Sequence, residues 1–453
     1  MLVLSYLIFF AVMVVLPPLR HPDASDTYAK KIKQPPRRTG ERVINLEDNR
    51  EALIWRLRLI QSAQKEIWLS TYSFSNDKSG QDVMAALQDA ARRGVQVRIL
   101  VDGMNGTASW YTGAPIRALA SQPNVELKLY NPMHLMKPWT FTYRMHDKYL
   151  IVDDQAFLLG GRNTNDIFLG DYTETSNHDR DLLVWQPEPE QEGVIEELIA
   201  YAKAMWEHPN CERMVRPGKR SDQESQKLEE RFKTLPEKYP ELQESVDLWQ
   251  TTVPTESITL WSNPTEVTSK EPQLWYALRN RMMQGNEIWM QTPYIVCSKA
   301  QYEDLEELAG GERKMQIMTN SPVNGANPFG CSDYLNNKKK ILKTGSELYE
   351  LHSPISAHTK TVLVDDCWSC VGSYNFDMRS TYLNTELMLE VNSPELNARL
   401  KAEYERLENC SNHIKPDGTE QPGKSCPNNK MGVVKWALYS VLRLITLPIR
   451  HLL

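Results

Sequence analysis

Two short stretches of the 453-residue chain repeat one pattern of imidazole, ammonium and carboxylate: His146-x-Lys148-x4-Asp153 and His358-x-Lys360-x4-Asp365. On a strand, positions i and i+2 share a face, so the His and Lys of each pattern point the same way. Small-residue turns follow, Gly160-Gly161-Arg162-Asn163 and Gly372-Ser373-Tyr374-Asn375. Each asparagine stands 17 residues beyond its histidine (163 − 146 and 375 − 358), where a hairpin return would bring it alongside. Two histidines, two lysines and two asparagines facing one another would make a cationic, donor-rich pocket. That suits a phosphodiester, with Lys, Asn and the turn residue Ser373 holding the non-bridging oxygens and countering developing charge. One neutral imidazole can attack phosphorus while the other, protonated, gives its proton to the leaving alcohol. Such chemistry requires no metal and no other cofactor, and no ligand spacing in the chain suggests one. A single His-x-Lys arises easily by chance. Two copies with matched Asp and Asn spacings do not.

The elements that must position these residues are themselves duplicated. KEIWLSTYSF from Lys65 matches NEIWMQTPYI from Asn286, and RILVDGMNG from Arg98 matches QIMTNSPVNG from Gln316. VELKLYNP from Val125 matches SELYELHSP from Ser346, and HDKYLIVDD from His146 matches HTKTVLVDD from His358. The offset is 221 residues for the first block (286 − 65) and 212 for the last (358 − 146). Helical patterns such as DVMAALQDAARRG lie between the apolar runs, so each half is expected to be an α/β sandwich on a largely parallel sheet. Residues 212–256 turn charged and proline-containing, which predicts a connector with at most a short amphipathic helix.

Bulk composition narrows the partners. With 41% hydrophobic and 24% charged residues the chain is ordinary globular material, and a formal net charge of −6 disfavours a nucleic-acid partner. Seven cysteines imply no disulfide framework. Cys367-x-x-Cys370 has no second pair at zinc-finger spacing and reads as strand cysteines, whereas Cys410 and Cys426 flank a loop and could pair only on a face that sees an oxidising compartment.

The two ends carry membrane signals. Leu2 to Leu16 is almost wholly apolar and is stopped by Pro17-Pro18; it is short for a span, and the Lys/Arg excess that follows it predicts an anchor with the bulk of the chain on the cytoplasmic side. From Gly432 the chain reads GVVKWALYSVLRLITLPIRHLL, which places Lys435, Ser440, Arg443, Thr446 and Arg450 in one arc beside a wide apolar face. That pattern suits a helix lying in an anionic lipid interface, the competing reading being a helix packed on the protein's own core.

The duplicated HxKx4D followed by GGxN and GSxN resembles the phospholipase D superfamily, from about Asn45 to Glu408. RMHDKYLIVDDQAFLLGGRNTND and HTKTVLVDDCWSCVGSYNFDMRSTYLNTELMLEV look most like bacterial cardiolipin synthases. The resemblance implies two α/β/α sandwich halves packed about a pseudo-twofold axis around one active site, with a phosphohistidine intermediate. It implies His146 as nucleophile and His358 as general acid, an assignment that near symmetry could reverse. It further implies an acid after each motif that orients the histidine of the opposite half: Glu386 in the second, and Asp179 or Asp181 in the first, with Asp181 preferred because LLVW follows it. Arg379 resembles a residue at the family's site edge that binds a second phosphate, a surface salt bridge being the alternative. Trp139, Phe141 and Tyr143 before His146 could line a lipid entrance or pack ordinarily. Asp153 and Asp365 belong to the motif and are expected to support its fold.

The organisation that follows is an N-terminal anchor or signal-like segment (1–19), a basic juxtamembrane segment (20–44), a first half (45–211), the connector (212–256), a second half (257–410), a polar spacer (411–430) and an amphipathic helix (431–453). The expected enzyme is a phosphatidyltransferase of the bacterial inner membrane acting on phosphatidylglycerol and possibly phosphatidylethanolamine. A lipase releasing phosphatidic acid and a nucleic-acid phosphodiesterase are the alternatives.

Overall fold

The computed structural model describes residues 2–22, 40–107, 109–188, 193–214, 221–426 and 430–453. Most of the basic segment singled out above, including Lys30, Lys31, Lys33, Arg37 and Arg38, lies outside the described residues. The chain divides into two compact units: Arg37–Leu260, and Trp261–Leu453 together with Met1–Pro36.

In the first unit the strands are β1 (Arg42–Leu46), β2 (Glu66–Thr71), β3 (Gln96–Asp102), β4 (Val125–Tyr130), β5 (Tyr149–Val152), β6 (Ala156–Gly160), β7 (Asp181–Trp185), β8 (Cys211–Arg213) and β9 (Val253–Pro254). They form one sheet in the order β9-β1-β7-β6-β5-β2-β3-β4-β8. The expectation of a largely parallel sheet holds only for β2-β3-β4. The motif strand β5 pairs antiparallel with β2 and with β6. The reason is local: Asp153 turns the chain straight back into β6, and two strands joined by so short a connection can only run antiparallel.

Helix Asn49–Ser62 starts where the Asp48 side chain accepts from the Glu51 N–H at 2.8 Å, a standard N-cap. Its buried Leu57 joins Met84 and Leu87 of helix Lys78–Arg92 over Ile99 and Leu127 of the sheet. The connector departs from expectation. Ser221–Lys238 is an eighteen-residue helix that contributes Leu228 and Leu235 to this same core. Buried polar groups hold it there: Asp82 accepts from Arg231 Nε at 2.6 Å and from the Tyr239 hydroxyl at 2.9 Å, and Gln88 Nε2 donates to the Ser225 carbonyl at 2.8 Å. The density of charge that made this stretch look like a linker is its solvent face; the leucines set its packing.

The second unit repeats the plan with β10 (Ser257–Ser262), which carries the chain over from the first unit, β11 (Glu287–Gln291), β12 (Lys314–Asn320), β13 (Glu347–Leu351), β14 (Thr361–Val364), β15 (Trp368–Gly372), β16 (Leu387–Asn392), β17 (Ser411–Ile414) and β18 (Glu420–Gln421). Their order is β10-β16-β15-β14-β11-β12-β13-β17-β18. Leaving out β9 and β18, the two sheets match strand for strand, with β5 and β14 in corresponding places. The stretch read as a polar spacer therefore begins inside the sheet, where β17 pairs antiparallel with β13. Cys410 and Cys426 form a disulfide across the loop that follows, while Cys367 and Cys370 are free thiols, the latter buried in β15.

Leu2–Val15 is a helix of fourteen residues, and no described helix is long and apolar enough to cross a membrane. Val433–Ile449 is a helix lying along helix Pro328–Leu342. Two cations of its polar stripe bond to the protein: Lys435 Nζ donates to the Val323 carbonyl at 2.6 Å, and the exposed Arg443 Nε to Asn336 Oδ1 at 2.8 Å.

Candidate active site

Each His-x-Lys pair sits at the entrance to a central strand, where burial on both faces leaves its side chains little freedom. Lys148 is 3% exposed and Lys360 2%. Lys148 Nζ donates to the His146 carbonyl at 2.5 Å, and the ring of His146 meets Tyr72 edge-on at 5.3 Å between centroids. In the second unit Lys360 Nζ donates to the His358 carbonyl and lies 2.7 Å from His358 Nδ1.

Two residues that the sequence reading missed fix the backbone just before each histidine. At the end of β3, Asp102 Oδ2 accepts from the Met145 N–H at 3.0 Å. At the corresponding end of β12, the Asn320 amide grips Ala357 from both sides, Oδ1 accepting from its N–H at 2.9 Å and Nδ2 donating to its carbonyl at 2.7 Å. The signal was present in the aligned blocks, RILVD and QIMTN, whose last residues are both short polar side chains at the carboxyl end of a parallel strand, where sites in open α/β sheets tend to gather. Burial pushes the Asp102 carboxyl up, and the neighbouring Arg144 guanidinium opposes that push.

Asp153 and Asp365 stand at the far end of β5 and β14 from the histidines. Both adopt positive φ, 53° and 50°. Asp153 accepts from the N–H groups of Gln64, Lys65 and Glu66 at 2.8–2.9 Å, and Asp365 from those of Asn286 and Glu287 at 2.9 Å. They staple the start of β2 and β11 to the motif hairpin, a structural task repeated in both halves.

The hairpin return does bring the Gly-x-x-Asn turns back beside the motif strands, since Gly160 N donates to the Lys148 carbonyl and Gly372 N to that of Lys360. Asn163 and Asn375 are 8% and 4% exposed, and their side-chain oxygens are buried without a donor among the described residues. Buried polar atoms normally find partners, so a matched pair of unsatisfied amide oxygens marks places where a polar ligand group can bind, the Asn375 Nδ2 already donating to the Tyr294 hydroxyl at 3.3 Å. Ser373 is otherwise engaged. Its hydroxyl donates to Glu386 Oε2 at 2.5 Å, and Ser380 Oγ donates to Oε1 at 2.6 Å, so Ser373 holds Glu386 rather than standing ready for phosphate.

The strand register decides which acid of the first half corresponds to Glu386. Gly372 pairs with Met388, and Gly160 with Asp181. Two residues earlier, Glu386 therefore corresponds to Asp179. The contacts agree: a Cβ added to Gly161 would lie 2.3 Å from Asp179 Oδ1, so Gly161 and Asp179 approach as Ser373 and Glu386 do. Asp181, preferred on sequence, is instead a buried ion-pair residue, 2.8 Å from Arg56 Nη2 and 3.5 Å from Arg162 Nη1. Its strand-like sequel LLVW pointed correctly to β7, but the orienting position falls just before the strand begins.

Asp377 caps helix Met378–Tyr382 by accepting from the Ser380 N–H at 2.6 Å. Burial pushes its carboxyl up to about 6, with the charge of Glu386 adding to the effect. Arg379, expected at the site's edge, donates through Nη1 to the Leu452 carbonyl at 3.0 Å, and its own N–H donates to Leu453. In the segment before His146, Tyr143 is core, while Met133, Leu135, Met136 and Trp139 are exposed.

Comparison with known proteins agrees with this geometry. The family described as cardiolipin synthase, PLD-like domain, matches residues 57–206 and 278–408. Cardiolipin synthase C of Escherichia coli is 27% identical over 391 residues, covering 78% of this chain and 81% of the relative. A cardiolipin synthase of Clostridium perfringens is 24% identical, covering 76% and 66%. An uncharacterized protein of Helicobacter pylori is 26% identical over 83% of this chain and 80% of its own length. Among solved structures, phosphatidylserine synthase of Haemophilus influenzae shares the fold with a TM-score of 0.66 at 15% identity, covering 94% of this chain and 100% of that one. The matched duplication, its intact motifs and these relatives make the chain a member of the cardiolipin synthase, PLD-like domain family, and with it an enzyme of the phosphatidyltransferase class within the phospholipase D superfamily.

Proposed function

We propose that this enzyme acts at a membrane surface, moving a phosphatidyl group from one phospholipid to the hydroxyl of another and so producing cardiolipin. In the first step His146 Nε2 attacks phosphorus, the P–O bond to the donor's headgroup alcohol breaks, and His358 Nε2 delivers its proton to that leaving oxygen. In the second, an acceptor hydroxyl gives its proton back to His358 and attacks phosphorus, and the P–N bond breaks. One phosphodiester is exchanged for another, so no nucleotide is consumed. Lys148, Lys360, Asn163 and Asn375 hold the non-bridging oxygens, and Asp179 and Glu386 orient the imidazoles. The observation that carries this reading is the matched pair of motifs, each with its lysine buried against its own histidine and an asparagine returned beside it. The exposed Met133, Leu135, Met136 and Trp139 support a lipid entrance upstream of His146.

The disulfide bears on the compartment. Disulfides persist in oxidising surroundings, so Cys410–Cys426 favours the outer face of the membrane over the cytoplasmic one expected from the Lys/Arg excess.

The test is incubation of the full chain with mixed vesicles of phosphatidylglycerol and phosphatidylethanolamine, beside His146→Ala, with products read by mass spectrometry. Cardiolipin with glycerol or ethanolamine as co-product is expected. Phosphatidic acid alone, lost in His146→Ala, makes water the acceptor and the protein a lipase; no consumption of lipid overturns the lipid reading.

A further inference from the structure

An amphipathic helix on a water-soluble surface buries its apolar side and shows its polar side. Helix Val433–Ile449 instead leaves most of its apolar residues outward. Its buried side chains are Tyr439, Leu442 and Thr446, the first two packing with Cys331, while Lys435 and the exposed Arg443 bond to the Val323 carbonyl and to Asn336. Outward, it presents Val434 at 86% exposure, Leu444 at 71%, Trp436 at 63%, Val441 at 57% and Leu438 at 50%. Just beyond the helix, Arg450 is fixed by both oxygens of the buried Asp333 at 3.0 and 3.1 Å and donates to the Cys297 carbonyl at 2.9 Å. The orientation is thus set by specific polar bonds at both ends.

A second apolar element meets this end. His451 Nε2 lies 2.9 Å from the Val15 carbonyl, which brings helix Leu2–Val15, itself exposing Leu4, Leu7 and Ile8, to the same place. Helix Pro328–Leu342 and the residue after it expose Lys339, Lys340 and Lys343, cations suited to phosphate headgroups beside an apolar surface. Residues 452 and 453 then bond to Arg379, four residues beyond Asn375.

We propose that the outward apolar face of helix Val433–Ile449, together with helix Leu2–Val15, docks on an anionic phospholipid surface, and that residues 450–453 tie the docked face to the second catalytic motif through Arg379. This deepens the functional reading above and rests on it only for the importance of the tie; the docking itself is independent of turnover.

The test uses the full chain carrying His358→Ala, so that no lipid is consumed. Flotation with vesicles of phosphatidylglycerol and phosphatidylethanolamine is compared with and without Leu438→Glu/Leu444→Glu. Two exposed leucines leaving an apolar phase make a loss of about tenfold or more in apparent affinity the expected result, with an unchanged unfolding temperature. Hydrogen exchange of residues 379–384 should slow when vesicles are added, and should no longer respond when Arg450→Ala is also present. Equal flotation of the two chains overturns the docking face. If the pair of glutamates instead converts an oligomer to a monomer with no change in flotation, the occupant is a second copy. Bound chains whose 379–384 exchange ignores vesicles overturn the tie. None of these readouts requires the parent enzyme to make cardiolipin, so a failure of the functional reading would be seen separately in its own assay.

Discussion

Asp179 and Asp181 are two residues apart, both buried, and assigned opposite tasks by the register of β6 against β7. Asp179→Asn keeps the size of the side chain beside Gly161 and removes only its charge. The fold should survive with little change in unfolding temperature, while an imidazole deprived of its orienting carboxylate loses tautomer control and basicity. General acid–base help of this kind accounts for about 10²–10⁴ in rate, so kcat should fall by that factor with KM nearly unaltered. Asp181→Asn strands the guanidinium groups of Arg56 and Arg162, which are 8% and 0% exposed at their side chains, against a neutral amide. Removing one partner of a buried ion pair costs about 3–5 kcal/mol, a large share of a typical domain's stability. The assay is a pair: thermal unfolding by calorimetry, and turnover of vesicle phosphatidylglycerol by mass spectrometry. An Asp181→Asn enzyme that melts normally yet is inactive, beside an Asp179→Asn enzyme that works, would refute the equivalence of Asp179 with Glu386 and restore the assignment made from sequence.

Two other expectations follow from buried chemistry elsewhere. Burial pushes the carboxyl of Glu41, which caps helix Val194–Trp206 through the Val194 N–H, from 4.5 up to about 7. Its folded-state pKa lies above its unfolded one, so its contribution is fully present below about pH 4.5 and is lost as pH rises through 7, at most about 3 kcal/mol. Glu41→Gln should therefore raise the unfolding temperature at pH 8 and do little at pH 5; the same gain at both values would contradict the argument. For Cys410 and Cys426, alkylation of intact cells before and after a reductant should label the pair only after reduction, whereas labelling without it would return the second unit to the cytoplasmic side.

What could be read from the sequence was whatever the duplication repeats. His146, Lys148 and their counterparts stood out because two copies at equal spacing share polar residues that packing alone does not require. The choice between Asp179 and Asp181 was not legible, because it depends on which residue of β7 faces Gly160, and a shift of two leaves the alternation of LLVW intact. Asp102 and Asn320 were hidden for another reason: each acts 43 or 37 residues away in sequence, through a backbone group rather than through the motif. Helix Ser221–Lys238 was masked by its charge and Pro236, although Leu228 and Leu235 stand at helical spacing. In Val433–Ile449 the periodicity showed two faces but not which one turns inward, since that sign is set by Asn336, Asp333 and Val323 on its neighbours.

The bonds at both ends of helix Val433–Ile449 have a consequence for the geography of the product. Lys435 at its start and Arg450 just past its end are both tied to the same body, so the helix lies along that body and cannot tip to thread a bilayer. On the docking proposed above, an enzyme held flat in this way would reach one leaflet alone. Donor and acceptor would then both be drawn from that leaflet, and the product released into it. Supply to the opposite leaflet would depend on a separate lipid-flipping step, and local depletion of the donor lipid, rather than its total amount in the membrane, would limit how long the reaction runs.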